Sequence, residues 1–169
     1  EIIVFPIPWG STPGNALSHE NEEDRKILSL IRTNLDRQPD IHIQISIPSE
    51  FRPLGKKSIG ITAGTEVSVA PLSFVEGADR MDLIIVPSNF TKNILLGTKY
   101  DRKNEQGQVV ETKQITKPIE VLFEGINPEV FKKTNEISDG IKELLSEVEE
   151  PWAYLFTGHW ISGRIFEDR

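Results

Sequence analysis

The chain has 169 residues, about one domain on the usual scale of roughly 100–200 residues per domain. Hydrophobic residues make up 37% and charged residues 27%, and 19 basic against 26 acidic side chains leave a net charge of −7. This balance argues against nucleic acid or an anionic membrane as a partner. No apolar run approaches the roughly 20 residues of a membrane span, and zero cysteines exclude disulfides, thiolate metal sites and cysteine nucleophiles.

The predicted elements alternate between strand and helix. Residues 2–7 form a β-branched and aromatic run that reads as a buried strand. The turn-rich loop 10–15 follows. Residues 22–37 carry Ile27, Leu28, Leu30, Ile31 and Leu35 at helical spacing, with Asn21 as a cap and Glu22, Glu23 and Asp24 set against the helix dipole. Residues 41–47 alternate strictly and end at Pro48, the pattern of a half-buried strand. A third strand is expected over 58–63 and a short helix near 72–76. Residues 82–86 are the clearest buried strand, ended by Pro87. Ser88 opens a helix that runs to about Leu96 and stops at Gly97.

The polar stretch 98–117 reads as a surface excursion or hairpin with a turn at Asn104–Gly107. Residues 119–123 predict a fifth strand. Asn127-Pro128 suits a helix start, Ser138 suits the cap of a second helix with Ile141, Leu144, Leu145 and Val148 on one face, and 153–157 predict a last strand before Gly158. The expected fold is α/β, a Rossmann-like and mostly parallel sheet with flanking helices. In such sheets ligands sit beyond the carboxyl ends of strands, where strand order reverses. The sequence opens at Glu1, its only methionine is Met81, and it stops soon after an apparent new unit begins, so a piece of a longer protein is expected. A cysteine-free chain fits a reducing compartment, and a cytoplasmic location is the expectation.

Three segments in order carry a family resemblance. Asp82-Leu83-Ile84-Ile85-Val86-Pro87-Ser88-Asn89-Phe90-Thr91-Lys92 resembles the Pro-Ser segment of nucleotide-sugar glycosyltransferases with the GT-B fold. Pro118 to Phe131, with Gly125 and Asn127, is similar to their strand–glycine–[Asp/Asn] stretch, and Trp152 to Gly158 looks like the first strand and glycine of their second domain. The resemblance implies the first domain of a GT-B type pair. Residues 1–150 would be the acceptor-side Rossmann-like domain and 151–169 the beginning of a second, C-terminal Rossmann-like domain. It implies a glycosyltransferase that moves a sugar from a nucleotide-sugar donor to an acceptor. The donor is then a co-substrate, and no cofactor or metal is required.

Several residue groups suit that chemistry. Gly10 and Gly14, with Asn15, allow close backbone approach to a substrate, while a simple strand-to-helix turn accounts for the same residues. Residues 60–66 gather glycines, threonines and a carboxylate at a strand's end. Thr65 and Glu66 there suit sugar hydroxyls, Glu66 as the candidate catalytic base, with a capped turn as the alternative. Glu124 follows the fifth strand. Ser88 reads first as a helix cap. Trp9 and Trp160 offer stacking faces, and His19, His42 and His159 lack metal-ligand spacing.

At the inter-domain junction, Gly158 is followed by His159 and Trp160 instead of the arginine the resemblance leads one to expect. The next arginine is Arg164, and His159 and Arg164 are the substrate-binding candidates there. The paired glutamates and phosphate-binding lysine of donor binding are not identifiable. This motivates the alternative of a catalytically inactive GT-B-like structural or carbohydrate-binding module in a larger assembly. A dinucleotide-binding protein is disfavoured because no G-x-G-x-x-G follows the first strand.

Overall fold

The computed structural model describes residues 1–7, 15–134, 136–150 and 152. The chain divides into two units, Glu1–Glu124 and Gly125–Arg169. The elements in chain order are α1 (Glu22–Leu30), β1 (Ile41–Ile45), a single 3-10 turn (Pro48–Glu50), β2 (Lys57–Ile61), α2 (Leu72–Ala78), β3 (Leu83–Val86), α3 (Asn89–Gly97), β4 (Tyr100–Lys103), β5 (Val109–Lys113), β6 (Ile119–Val121) and α4 (Asp139–Ser146).

The first unit is an α/β layer. Four strands lie in the order β1-β2-β3-β6, each neighbouring pair parallel. The polar excursion forms a separate antiparallel hairpin of β4 and β5. Its turn is tied by the Asn104 side chain, whose Oδ1 accepts from the backbone N–H of Gln106 and Gln108 at 3.1 and 2.9 Å. Gly107 supplies the positive φ of 79° that this turn requires.

Strand order follows chain order without a reversal among the described strands. Successive crossovers of one hand in one direction place their helices on one face. The core lies on that face, where Val75 and Ala78 of α2 and Leu95 of α3 pack against Ile84 and Val86 of β3 and Ile119 of β6. Each valine, leucine or isoleucine side chain buried this way contributes about 1.5–3 kcal/mol. Tyr100 fixes the hairpin to this core through its hydroxyl, which donates to the Ala70 carbonyl at 2.8 Å.

Two buried polar or small residues explain the sheet's β1 side. Gln44 faces the covered side, and its amide is satisfied locally: Oε1 accepts from the Arg52 N–H at 2.9 Å, and Nε2 donates to the Glu50 carbonyl at 2.9 Å and to Ser46 Oγ at 3.1 Å. Gly60 leaves room for Phe51, which is fully buried and whose Cζ would sit 2.6 Å from any Cβ added there. Arg80 clips the same turn, with Nε donating to the Phe51 carbonyl at 3.1 Å and Nη2 to that of Ser49 at 3.0 Å. On the opposite face the register aligns Ile43, Ile59 and Leu83 in one row and Ile45, Ile61 and Ile85 in the next. Ile43 and Ile45 on the edge strand are 56% and 65% exposed.

Several expectations need correction. Residues 2–7 do not join the sheet; Val4 makes one isolated parallel bridge to Ile31, with Val4 N–H to the Leu30 carbonyl and Arg32 N–H to the Val4 carbonyl, both 3.0 Å. The helix expected to reach residue 37 stops at Leu30, because Ile31 turns extended to make that bridge. Its start is as expected: Asn21 accepts from the Glu23 and Asp24 N–H groups at 2.8 and 3.3 Å. Strand β1 ends at Ile45, two residues earlier than the alternation implies, and the strand expected to run to residue 123 ends at Val121.

In the second unit, Asn127-Pro128 opens a turn and no helix. The Asn127 carbonyl accepts from Val130 and Phe131 at 3.1 and 2.9 Å, and the pattern goes no further. α4 forms as expected, but Ser138 flanks it without a side-chain capping bond, and Ile141, Leu144 and Leu145 stay exposed. The predicted strand 153–157 and the junction at Gly158 lie outside the described residues. Among the described residues no helix is long and apolar enough to cross a membrane.

Candidate functional site

Parallel pairing brings the carboxyl ends of β1, β2, β3 and β6 to one edge of the sheet, with Ile61, Ile85 and Glu120 in one row. The chain leaves each strand there. After β2, Thr62 stays hydrogen-bonded to the sheet, its N–H donating to the Ile85 carbonyl at 3.1 Å. Its hydroxyl turns back to accept from the Gly64 N–H at 3.1 Å. Gly64 has a φ of +86°, and a Cβ there would run into the Cγ2 of Thr91. The loop carrying Thr65 and Glu66 therefore rests directly on the first turn of α3.

That first turn is shaped by the Pro87-Ser88 sequence. Pro87 cannot donate to a ladder and stops β3. Ser88 then adopts extended geometry and its Oγ accepts from the Thr91 N–H at 3.2 Å, the expected cap. Thr91 is buried, bonded to Ser88 Oγ at 3.2 Å and reaching the Ala63 carbonyl at 3.5 Å. Ser88 and Thr91 thus tie the ends of β2 and β3 together. Thr91 was not singled out by the sequence reasoning; its signal is the hydroxyl three residues after the cap, next to a loop that needs a glycine.

Within this frame Thr65 is half-buried, its hydroxyl accepting from the Val67 N–H at 3.4 Å, and Glu66 is exposed. The turn-capping alternative is thus met by Thr65, while the Glu66 carboxylate faces solvent. Glu124 is exposed, three residues past the end of β6. Because β6 is two strand spacings from β2, those two strand ends lie on the order of 10 Å apart along the edge. Asn15 is exposed, and no side-chain hydrogen bond among the described residues joins it to Thr65 or Glu66. Gly10, Gly14, His159 and Arg164, with Trp9 and Trp160, fall outside the described residues. Beside the edge, the half-buried Lys92 of α3 pairs with Glu120 at 3.5 Å.

Perturbed ionisation lies elsewhere. Asp82, at the amino end of β3, accepts from the Ser58 N–H at 2.8 Å; that bond, then the Lys57 charge 3.6 Å away, holds its carboxyl below the usual carboxylate range. Glu111 is held low chiefly by its hydrogen bond from Lys113, which is raised in turn. His42 is pushed down by burial, and its Nδ1 is buried with no hydrogen-bond partner.

A shallow cavity of about 280 Å³ lies between α2 and β5, lined by Val75, Glu76, Asp79, Arg80, Lys113 and Gln114. Its charged groups are already engaged: Lys113 by Glu76 and Glu111, Asp79 by Thr116 at 2.6 Å, and Arg80 by the Ser49 and Phe51 carbonyls. It is a weaker candidate than the strand-end edge, which leaves a carboxylate free. Among the described residues no group of three or more His, Asp or Glu is placed to hold a metal. No protein family, curated protein or solved structure matches the chain.

Proposed function

We propose that this chain is the acceptor-side domain of a GT-B type glycosyltransferase, which transfers a sugar from a nucleotide-sugar donor to an acceptor hydroxyl. The observation that carries this reading is the Gly64–Thr91 junction. It seats the Thr65-Glu66 loop on the capped start of α3, at the carboxyl edge of a parallel sheet whose described strands run in chain order, so the support is the loop's seating and not a reversal of strand order. The ordered segments at 82–92 and 118–131 support it from the sequence side. In this reading Glu66 accepts the proton of the acceptor hydroxyl as its oxygen bonds to the anomeric carbon, and the bond from that carbon to the diphosphate oxygen breaks. Thr65 and Glu124 orient sugar hydroxyls by hydrogen bonding.

The test is transfer by the full-length protein from a panel of nucleotide sugars to simple saccharide acceptors, wild type against Glu66→Gln. Removing a general base lowers kcat about 10²- to 10⁴-fold, and because Glu66 is exposed the variant keeps the wild-type melting temperature. No transfer by the wild type with any donor refutes the enzymatic reading and leaves the carbohydrate-binding module, which saccharide binding without turnover would identify. Full activity in Glu66→Gln removes Glu66 from the chemistry.

A further inference from the structure

We draw no further inference here: the strongest candidate, the open aliphatic face of the four-stranded sheet carrying Ile43, Ile45, Ile59, Ile61, Leu83 and Ile85, is an unpartnered apolar surface, and nothing in the structure shows what covers it.

Discussion

Replacing Gly64 by alanine perturbs the close approach of the β2 loop to α3. Two costs add. A φ of +86° is left-handed, which costs an L-residue about 1–2 kcal/mol. The new Cβ also overlaps the Thr91 methyl, and overpacking a buried site costs about 1–3 kcal/mol. The expected loss is therefore about 2–5 kcal/mol, a large part of the roughly 5–15 kcal/mol available to a domain. Urea unfolding monitored by tryptophan fluorescence and circular dichroism measures it by linear extrapolation.

The two costs separate in a double-mutant cycle with Thr91→Ser. That change deletes the obstructing methyl, at about 1 kcal/mol, and keeps the hydroxyl bonded to Ser88. In the Thr91→Ser background, Gly64→Ala retains the backbone cost and loses the steric one, so the double variant is more stable than the sum of the singles by about 1–3 kcal/mol. Additivity within about 0.5 kcal/mol, or a neutral Gly64→Ala, would refute the packing of this loop on α3.

Two further predictions concern ionisation. His42→Val removes a buried nitrogen without a partner and raises stability by about 1 kcal/mol at neutral pH in urea unfolding. Because burial lowers the His42 pKa, the unfolded chain takes up its proton first. The wild type then loses stability as pH falls through 6.5 towards the lowered folded value, a slope that His42→Val lacks; equal slopes contradict the assignment. Asp82 has the opposite pattern. Its folded pKa lies below the ordinary 3.8, so its contribution is complete above that value and disappears as pH falls through the folded one. Asp82→Asn flattens the acid limb of the stability curve in that window, and an unchanged limb would remove Asp82 from acid unfolding.

The legible parts of the fold were those in which local chemistry and burial agree. Ile41 to Ile45 alternates at period two on an edge strand with one covered face, and Leu83 to Val86 is a short aliphatic run cut off by Pro87, so both strands could be read directly. The caps at Asn21 and Ser88 were legible for the same local reason. The hydrophobic run 2–7 misled, because apolar composition does not say whether a strand finds an edge, and here a single bridge at Val4 is formed. The helix start at Asn127-Pro128 misled because a cap needs a packed face behind it, and Val130 and Phe131 are about 70% exposed.

The candidate site was legible only as a strand-end segment, and its seating on α3 was not legible at all. Strand-end reasoning reached Thr65 and Glu66, but the Gly64–Thr91 approach joins residues far apart in sequence, and no local pattern encodes it. Gly60 illustrates the converse. It belonged to the segment picked for sugar binding, yet its lack of a side chain is explained by the Phe51 ring packed on it.

The most direct test of the central claim, that the carboxyl edge of the sheet receives a sugar, is amide chemical-shift mapping of the isotope-labelled protein during titration with a panel of mono- and disaccharides. The account predicts that the responding amides cluster at residues 62–66, 88–91 and 122–124 and that Glu66→Gln weakens the response. Shifts confined to the cavity between α2 and β5, or to the amino ends of the strands around Asp82, would contradict it.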